Sequence, residues 1–270
     1  MKFSTGDDIV SLTPLNPFDR FDDGRPKVPD ALLEEMKLVS LEEAWEVLSR
    51  KHGYDYQFEG NWVNLHPDHV MVGRALTATF VPLRPDLNDI VKAQGEREGR
   101  PHHQSVWVTD SVVEGDVIVV DLFGKVRDGT FVGDNMATGV AGQGGAGLVI
   151  DGGIRDAVGV SNVPNINVFC RGFDPTANKD VTLLSLNAPI RIGRVAVLPG
   201  DVVLGTIEGV IFIPPHLVEE VITTSKETRL KDEFRIQLML ERKYTAAQIY
   251  PVWGDHVEAE FQEWLKKRQG

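Results

Sequence analysis

The chain has one cysteine, Cys170, in 270 residues, so no intrachain disulfide forms and no Cys-based zinc spacing exists. Cys170 sits in the apolar run Val168-Phe169-Cys170, where a small buried residue is expected rather than a nucleophile. Long hydrophobic runs are missing too: nothing approaches the roughly 18 apolar residues of a membrane span. The start, Met1-Lys2-Phe3-Ser4-Thr5-Gly6-Asp7-Asp8, lacks the apolar centre of a signal peptide. Both absences predict a cytoplasmic protein without a membrane partner. Cations are in deficit, with 28 Lys and Arg against 40 Asp and Glu and a formal charge of −12. Phosphate backbones are held by clustered Lys and Arg, so nucleic acid is not an expected partner, and the acid excess reads as solubility. No excess of Pro, Ser or Gln signals disorder, and 42% hydrophobic with 25% charged residues is ordinary for a globular chain.

The length suits one large domain with decorated ends. Residues 1–50 read as an N-terminal arm with helices, 51–215 as the core, and 216–270 as a C-terminal helical extension. The first 30 or so residues carry several Pro, Asp and Gly and predict an irregular arm, either wrapped on a neighbouring subunit or disordered. From Pro29 to Lys51 apolar residues recur at helical spacing with a break near Val39-Ser40, and Ser40 followed by Glu43 fits a capping box opening a second helix.

Between Val70 and Ile213 short β-branched runs alternate with Gly and Asp. Strands are predicted at Gly73 to Val81, Val117 to Asp121, Ala146 to Asp151, Asn165 to Arg171, and Val202 to Ile213 with a break at Gly205 to Gly209. Asp134 to Gly142, rich in Ala and Gly, predicts a helix, and this alternation is that of an α/β protein. Amphipathic stretches at Pro215 to Glu241 and Val257 to Leu265 predict helices, packed on their own domain or on another subunit.

The run Gln143-Gly144-Gly145-Ala146-Gly147 invites a phosphate-loop reading, but it precedes a strand, whereas phosphate loops follow one and open a helix. A tight helix-to-strand connection fits better. Where that strand ends, Asp151-Gly152-Gly153-Ile154-Arg155-Asp156 sets an Arg beside an Asp just after a Gly pair. Such a pair can neutralise itself at a surface, yet strand ends in α/β folds are where ligands bind, and glycine lets backbone approach them closely. Upstream, Val132-Gly133-Asp134-Asn135-Met136 supplies a second carboxylate at a helix start, where an acid also serves as a first-turn partner of the dipole. That start leaves the N–H groups of Asn135 and Met136 for an anion. An acid, an Arg and free amides together suit a 2-oxo acid on a divalent cation.

Asp134, twenty intervening residues, then Arg155 and Asp156 resembles the signature of the RraA-like family, which includes the 4-hydroxy-4-methyl-2-oxoglutarate aldolases. Gly115-Asp116-Val117-Ile118-Val119-Val120-Asp121, Pro199-Gly200-Asp201-Val202-Val203 and Glu208-Gly209-Val210-Ile211-Phe212-Ile213-Pro214 agree with it, so the resemblance runs from about Val70 to Ile213. It implies a three-layer β/β/α swivelling-type domain, assembled as a homotrimer or a homohexamer with active sites between subunits. It implies a lyase of the class II pyruvate aldolase type using Mg²⁺ or Mn²⁺, with Asp156 ligating the metal and Asp134 holding its water. Arg155 would contact substrate oxygens, and the amides of Asn135 and Met136, past Gly133, would receive the carboxylate. Glu233 of a neighbouring subunit, or Asp232 in its place, would complete the site. The substrate would be a 2-oxo acid or a sugar acid, cleaved through a pyruvate enolate, with oxaloacetate decarboxylation as a side activity.

The chain looks longer than the simplest members, with the arm and a polar stretch, Gln94 to Gln104, whose His102 and His103 are either site residues or solvent-exposed bystanders. Phe58-Glu59-Gly60-Asn61-Trp62 and Val81-Pro82-Leu83-Arg84-Pro85-Asp86 resemble a longer branch often labelled menaquinone methyltransferase. No strand followed by a glycine-rich loop of the kind that binds S-adenosylmethionine is found, and that label is set aside. Two other readings stay open: a metal-dependent dehydratase of hydroxy or sugar acids, and a non-catalytic regulator of an RNA-degrading enzyme, as RraA is.

Overall fold

The computed structural model describes residues 5–100 and 103–269. The chain divides into two compact units, Met1–Val221 and Ile222–Gly270. Short helices open the first: α1 (Gly6–Leu12), α2 (Asp30–Met36) and α3 (Leu41–Trp45), the last continuing as a π-helical turn. Ser40 caps α3 as its spacing predicts, accepting from Glu43 N (3.2 Å) while the Glu43 carboxylate accepts from Ser40 N (2.9 Å).

The sheet follows, with β1 (Phe58–Glu59), β2 (Val63–Asn64), β3 (Met71–Pro82), α4 (Pro85–Arg97), α5 (Gln104–Thr109) and β4 (Asp116–Thr130). Next come α6 (Asp134–Gly142), β5 (Gly147–Ile154), α7 (Ala157–Ser161) and β6 (Asn167–Phe173). Then β7 (Val181–Leu186), β8 (Ile190–Ile192), β9 (Val195–Val197), β10 (Val202–Thr206) and β11 (Gly209–Ile213). Strands β3 to β6 are parallel neighbours, and β10, β11 and β1 extend the sheet antiparallel beyond β3. Parallel strands are covered on both faces and read as continuous apolar runs, and β5 is buried along its whole length.

Alternation along those strands sorts the two coats. Ile118, Val120, Leu148, Ile150, Val168 and Cys170 point to a core shared with Val108, Ala137, Val140 and Val160 of the helices. Val117, Val119, Val149 and Phe169 pack with Ile190, Ile192, Val195 and Val197 of the β8–β9 hairpin. The result is a three-layer β/β/α arrangement. Cys170 is buried in the helix-side layer, and burial pushes its thiol up to about 11, the inert state expected of it. Asp201 is also buried, with one oxygen accepting from Leu198 N (2.8 Å), and burial pushes its carboxyl up to about 7.

Among the described residues of the arm, 13–28 lie on their own unit, bolted by charge. Arg25, 1% exposed, donates to fully buried Asp116 (2.9 Å) and to Asp23 (2.7 Å). Arg74, 2% exposed, donates to Val28 O (2.7 Å), to Asp30 (2.8 Å) and to Glu114 O (3.0 Å). The polar stretch Gln94 to Gln104 belongs partly to α4, a helix the composition concealed. The second unit begins within α8 (Val218–Leu240) and adds α9 (Ala246–Ile249) and α10 (Asp255–Gln269) around Phe234, Leu238, Ile249, Val257 and Phe261. Among the described residues no helix is long and apolar enough to cross a membrane.

Candidate active site

Two strand ends are tied together. Phe131 N donates to Gly153 O (2.9 Å) and Arg155 N to Val132 O (3.0 Å), so the segment leaving β4 runs beside the segment leaving β5. Gly133-Asp134 therefore abuts Arg155-Asp156. The contact is close: a Cβ at Gly133 would lie 2.8 Å from Asp156 Oδ2 and 3.0 Å from Arg155 Nε, so the Asp156 and Arg155 side chains would have to shift to admit it. A Cβ at Gly159 would lie 2.8 Å from Asp134 Cβ, so α7 presses its backbone against Asp134. Gly159, which the sequence reading missed, is signalled only by its place three residues beyond Asp156.

Asp156 turns the chain from β5 into α7 in the left-handed region, φ 52° and ψ 40°. A side chain costs energy there, least for Asn and Asp, and such strain concentrates at functional sites. Val160 N donates to Asp156 O (2.8 Å) and starts the short helix from the turn.

Charge at the site is loosely held. Arg155 Nε stands 3.5 Å from Asp156 Oδ2, with side chains 43% and 53% exposed, beyond good hydrogen-bond distance. Asp134 Oδ1 accepts from Asn135 N (2.7 Å), so one of the two amides expected for a substrate carboxylate is engaged by the neighbouring acid. The first ladder bond of α6 is Ala137 N to Gly133 O (3.0 Å), and the Met136 amide precedes it, outside the helical ladder. The structure thus brings together Gly133, Asp134, Asn135, Met136, Arg155 and Asp156.

Glu233 lies in the second unit, on α8, paired with Arg268, while Asp232 pairs with Arg235. His103 lines a separate cavity, and His102 lies outside the described residues. Among the described residues no three His, Cys, Asp or Glu side chains converge as a ligand set. The two carboxylates beside the Gly133 cradle suit a hard cation that keeps several waters and takes one or two protein oxygens, as Mg²⁺ does.

A family model described as RraA-like, Aldolase/RraA, matches residues 31–212. A Halalkalibacterium halodurans protein named "Putative 4-hydroxy-4-methyl-2-oxoglutarate aldolase" is 33% identical over 184 residues, covering 65% of this chain and 86% of that protein. DlpA of Legionella pneumophila is 30% identical over 60% of this chain but only 24% of its own length. Among solved structures, an unusual Streptomyces coelicolor member of the RNase ES inhibitor RraA family superposes with a TM-score of 0.67 at 25% identity, covering 78% of this chain and 99% of that one. With the strand-end constellation in place and the family model spanning more than half of its length, this chain belongs to the RraA-like family.

Proposed function

We propose that the chain is a divalent-metal-dependent lyase that cleaves a 4-hydroxy-2-oxo acid through a pyruvate enolate. The observation that carries this reading is the abutment of Gly133-Asp134 against Arg155-Asp156, with the Met136 amide beside them. The name of the Halalkalibacterium halodurans relative supports it.

Asp156, with Asp134 acting through water, would hold Mg²⁺ or Mn²⁺, which when bound supplies Lewis acidity to the keto and carboxylate oxygens. Arg155, half-exposed and only loosely engaged by Asp156, is free to turn its guanidinium to the oxygen where enolate charge develops. The Met136 amide orients the substrate carboxylate. As the bond between C3 and C4 breaks, its electrons pass into the enolate and the 4-hydroxyl proton leaves. Asp134 organises the water that takes that proton, and Glu233 of a neighbouring copy in a homotrimer or homohexamer would assist it. Loss of CO₂ from oxaloacetate forms the same enolate, so decarboxylation accompanies the aldol activity.

The test is pyruvate release from 4-hydroxy-4-methyl-2-oxoglutarate and from oxaloacetate, with Mg²⁺ or with EDTA, by the wild type and by Asp156→Ala. Turnover that needs metal and vanishes in the variant is expected. Metal-loaded protein that turns over neither compound overturns the reading, in favour of hydroxy-acid dehydration or of a regulator like the RNase ES inhibitors.

A further inference from the structure

A polar cavity, of about 250 Å³, lies among the outer end of β3, α4, the start of α5 and the loop before β7. Phe80 forms part of its wall, and the polar groups facing it come from Asn88, Lys92, His103, Ser105, Asn178 and Asp180. None of these belongs to the constellation around Asp156.

Hydrogen-bond accounting makes the cavity rich in donors. Leu183 N donates to Gln104 Oε1 (2.6 Å), which turns Gln104 Nε2 toward Asn88 Oδ1 (3.1 Å). Thr182 Oγ1 donates to the same oxygen (3.3 Å). Asn88, buried, is thereby fixed with its NH₂ group left over. Both amide atoms of Asn178 are buried without a partner, a costly state unless something else completes them. Neither Lys92 Nζ nor Ser105 Oγ has a partner among the described residues.

We infer that this cavity binds a small carboxylate bearing hydroxyl groups. The ligand's carboxylate meets the Lys92 ammonium, with His103 beside it, while the amide and hydroxyl donors of Asn88, Asn178 and Ser105 meet its remaining oxygens. Asp180 and Asn178 Oδ1 accept from its hydroxyls. The volume suits a compact acid. The inference does not rest on the lyase reading. The cavity is nonetheless one loop away from Arg155: Asp174 N donates to Ile154 O (3.1 Å), Thr130 Oγ1 donates to Thr176 O, and Phe80 packs edge-on against Phe131 at 5.8 Å.

The experiment is calorimetric titration of the full chain, in EDTA, with sodium glycerate, sodium tartrate and sodium gluconate. At least one is expected to bind, with affinity at least about ten-fold weaker in Asn178→Leu and in Lys92→Ala, and unchanged in Asp156→Asn. Asn178→Leu removes two unpaired buried atoms, so its melting temperature is expected to hold or rise while binding falls. A purely structural role for Asn178 would move stability instead. Lys92 is exposed, so its variant keeps the test valid should Asn178→Leu fail to fold. The inference is overturned if none of the three acids binds at millimolar concentration, if binding survives in both cavity variants, or if only Asp156→Asn abolishes it.

Discussion

Two of the arginine–aspartate pairs in the first unit differ in almost every physical respect. Under the arm, Arg25 and Asp116 are 1% and 0% exposed and 2.9 Å apart. At the strand ends, Arg155 and Asp156 are about half exposed and 3.5 Å apart. The first pair satisfies itself: Asp116 also accepts from Val113 N (3.1 Å), and Arg25 reaches Asp23. The second leaves its charges to be completed by something else. Adjacent residue types therefore say little about role; exposure and unspent hydrogen-bonding capacity separate a fastener from a site.

That contrast can be broken. Asp156→Asn, which keeps a side chain tolerated in the left-handed region, is expected to cut pyruvate release by at least about 10³-fold while leaving the melting temperature nearly unchanged. A comparable loss of stability in place of activity would make Asp156 structural. Arg25→Met is expected to do the reverse, destabilising by about 3–5 kcal/mol because it strands a buried carboxylate. Chemical denaturation measures this, and adding Asp116→Leu should restore much of the loss. Arg155→Ala is expected to lower kcat by about 10²–10³-fold, with Arg155→Lys a poor rescue because a point charge replaces a planar fork.

A carboxyl buried without a cation sharpens the comparison further. Asp201 has its folded-state value raised to about 7, so its favourable contribution is complete below about pH 4 and is lost as pH rises toward 7. The stability difference between wild type and Asp201→Asn should therefore shift against the wild type through that window, by at most about 1.4 kcal/mol per pH unit, and level off above it. A flat difference would show the carboxyl to be ionised throughout. The smallest effect is expected at Asp30, an exposed acid on buried Arg74. Asp30→Asn should cost less than about 1 kcal/mol, because Arg74 keeps Val28 O and Glu114 O.

Much of the central architecture was legible because it is written in local chemistry. Val117 to Val120 and Leu148 to Ile150 are apolar on both faces, which marks buried parallel strands. Asp134 to Gly142 forms the helix its composition predicts, and Ser40 with Glu43 caps α3. What stayed hidden is set by distant partners. Arg25 in a Pro- and Gly-rich stretch carries no periodicity announcing that it enters the core. α4 has few apolar residues, and the short strands β7 to β9 owe their state to β3 and to the sheet face they cover. At the site, the residue types and their spacing were readable, whereas the capture of the Asn135 amide by Asp134 depends on a rotamer no pattern encodes.

The bolted arm also separates two notions of a boundary. Family similarity begins at residue 31, yet Arg25 and Val28, both essentially inaccessible to solvent, come before it. A fragment trimmed to the similar region would retain Asp134, Arg155 and Asp156 but lose Glu233, and would strip Asp116 of its Arg25 partner. The part of the chain that the family model matches is shorter than the part that packs together.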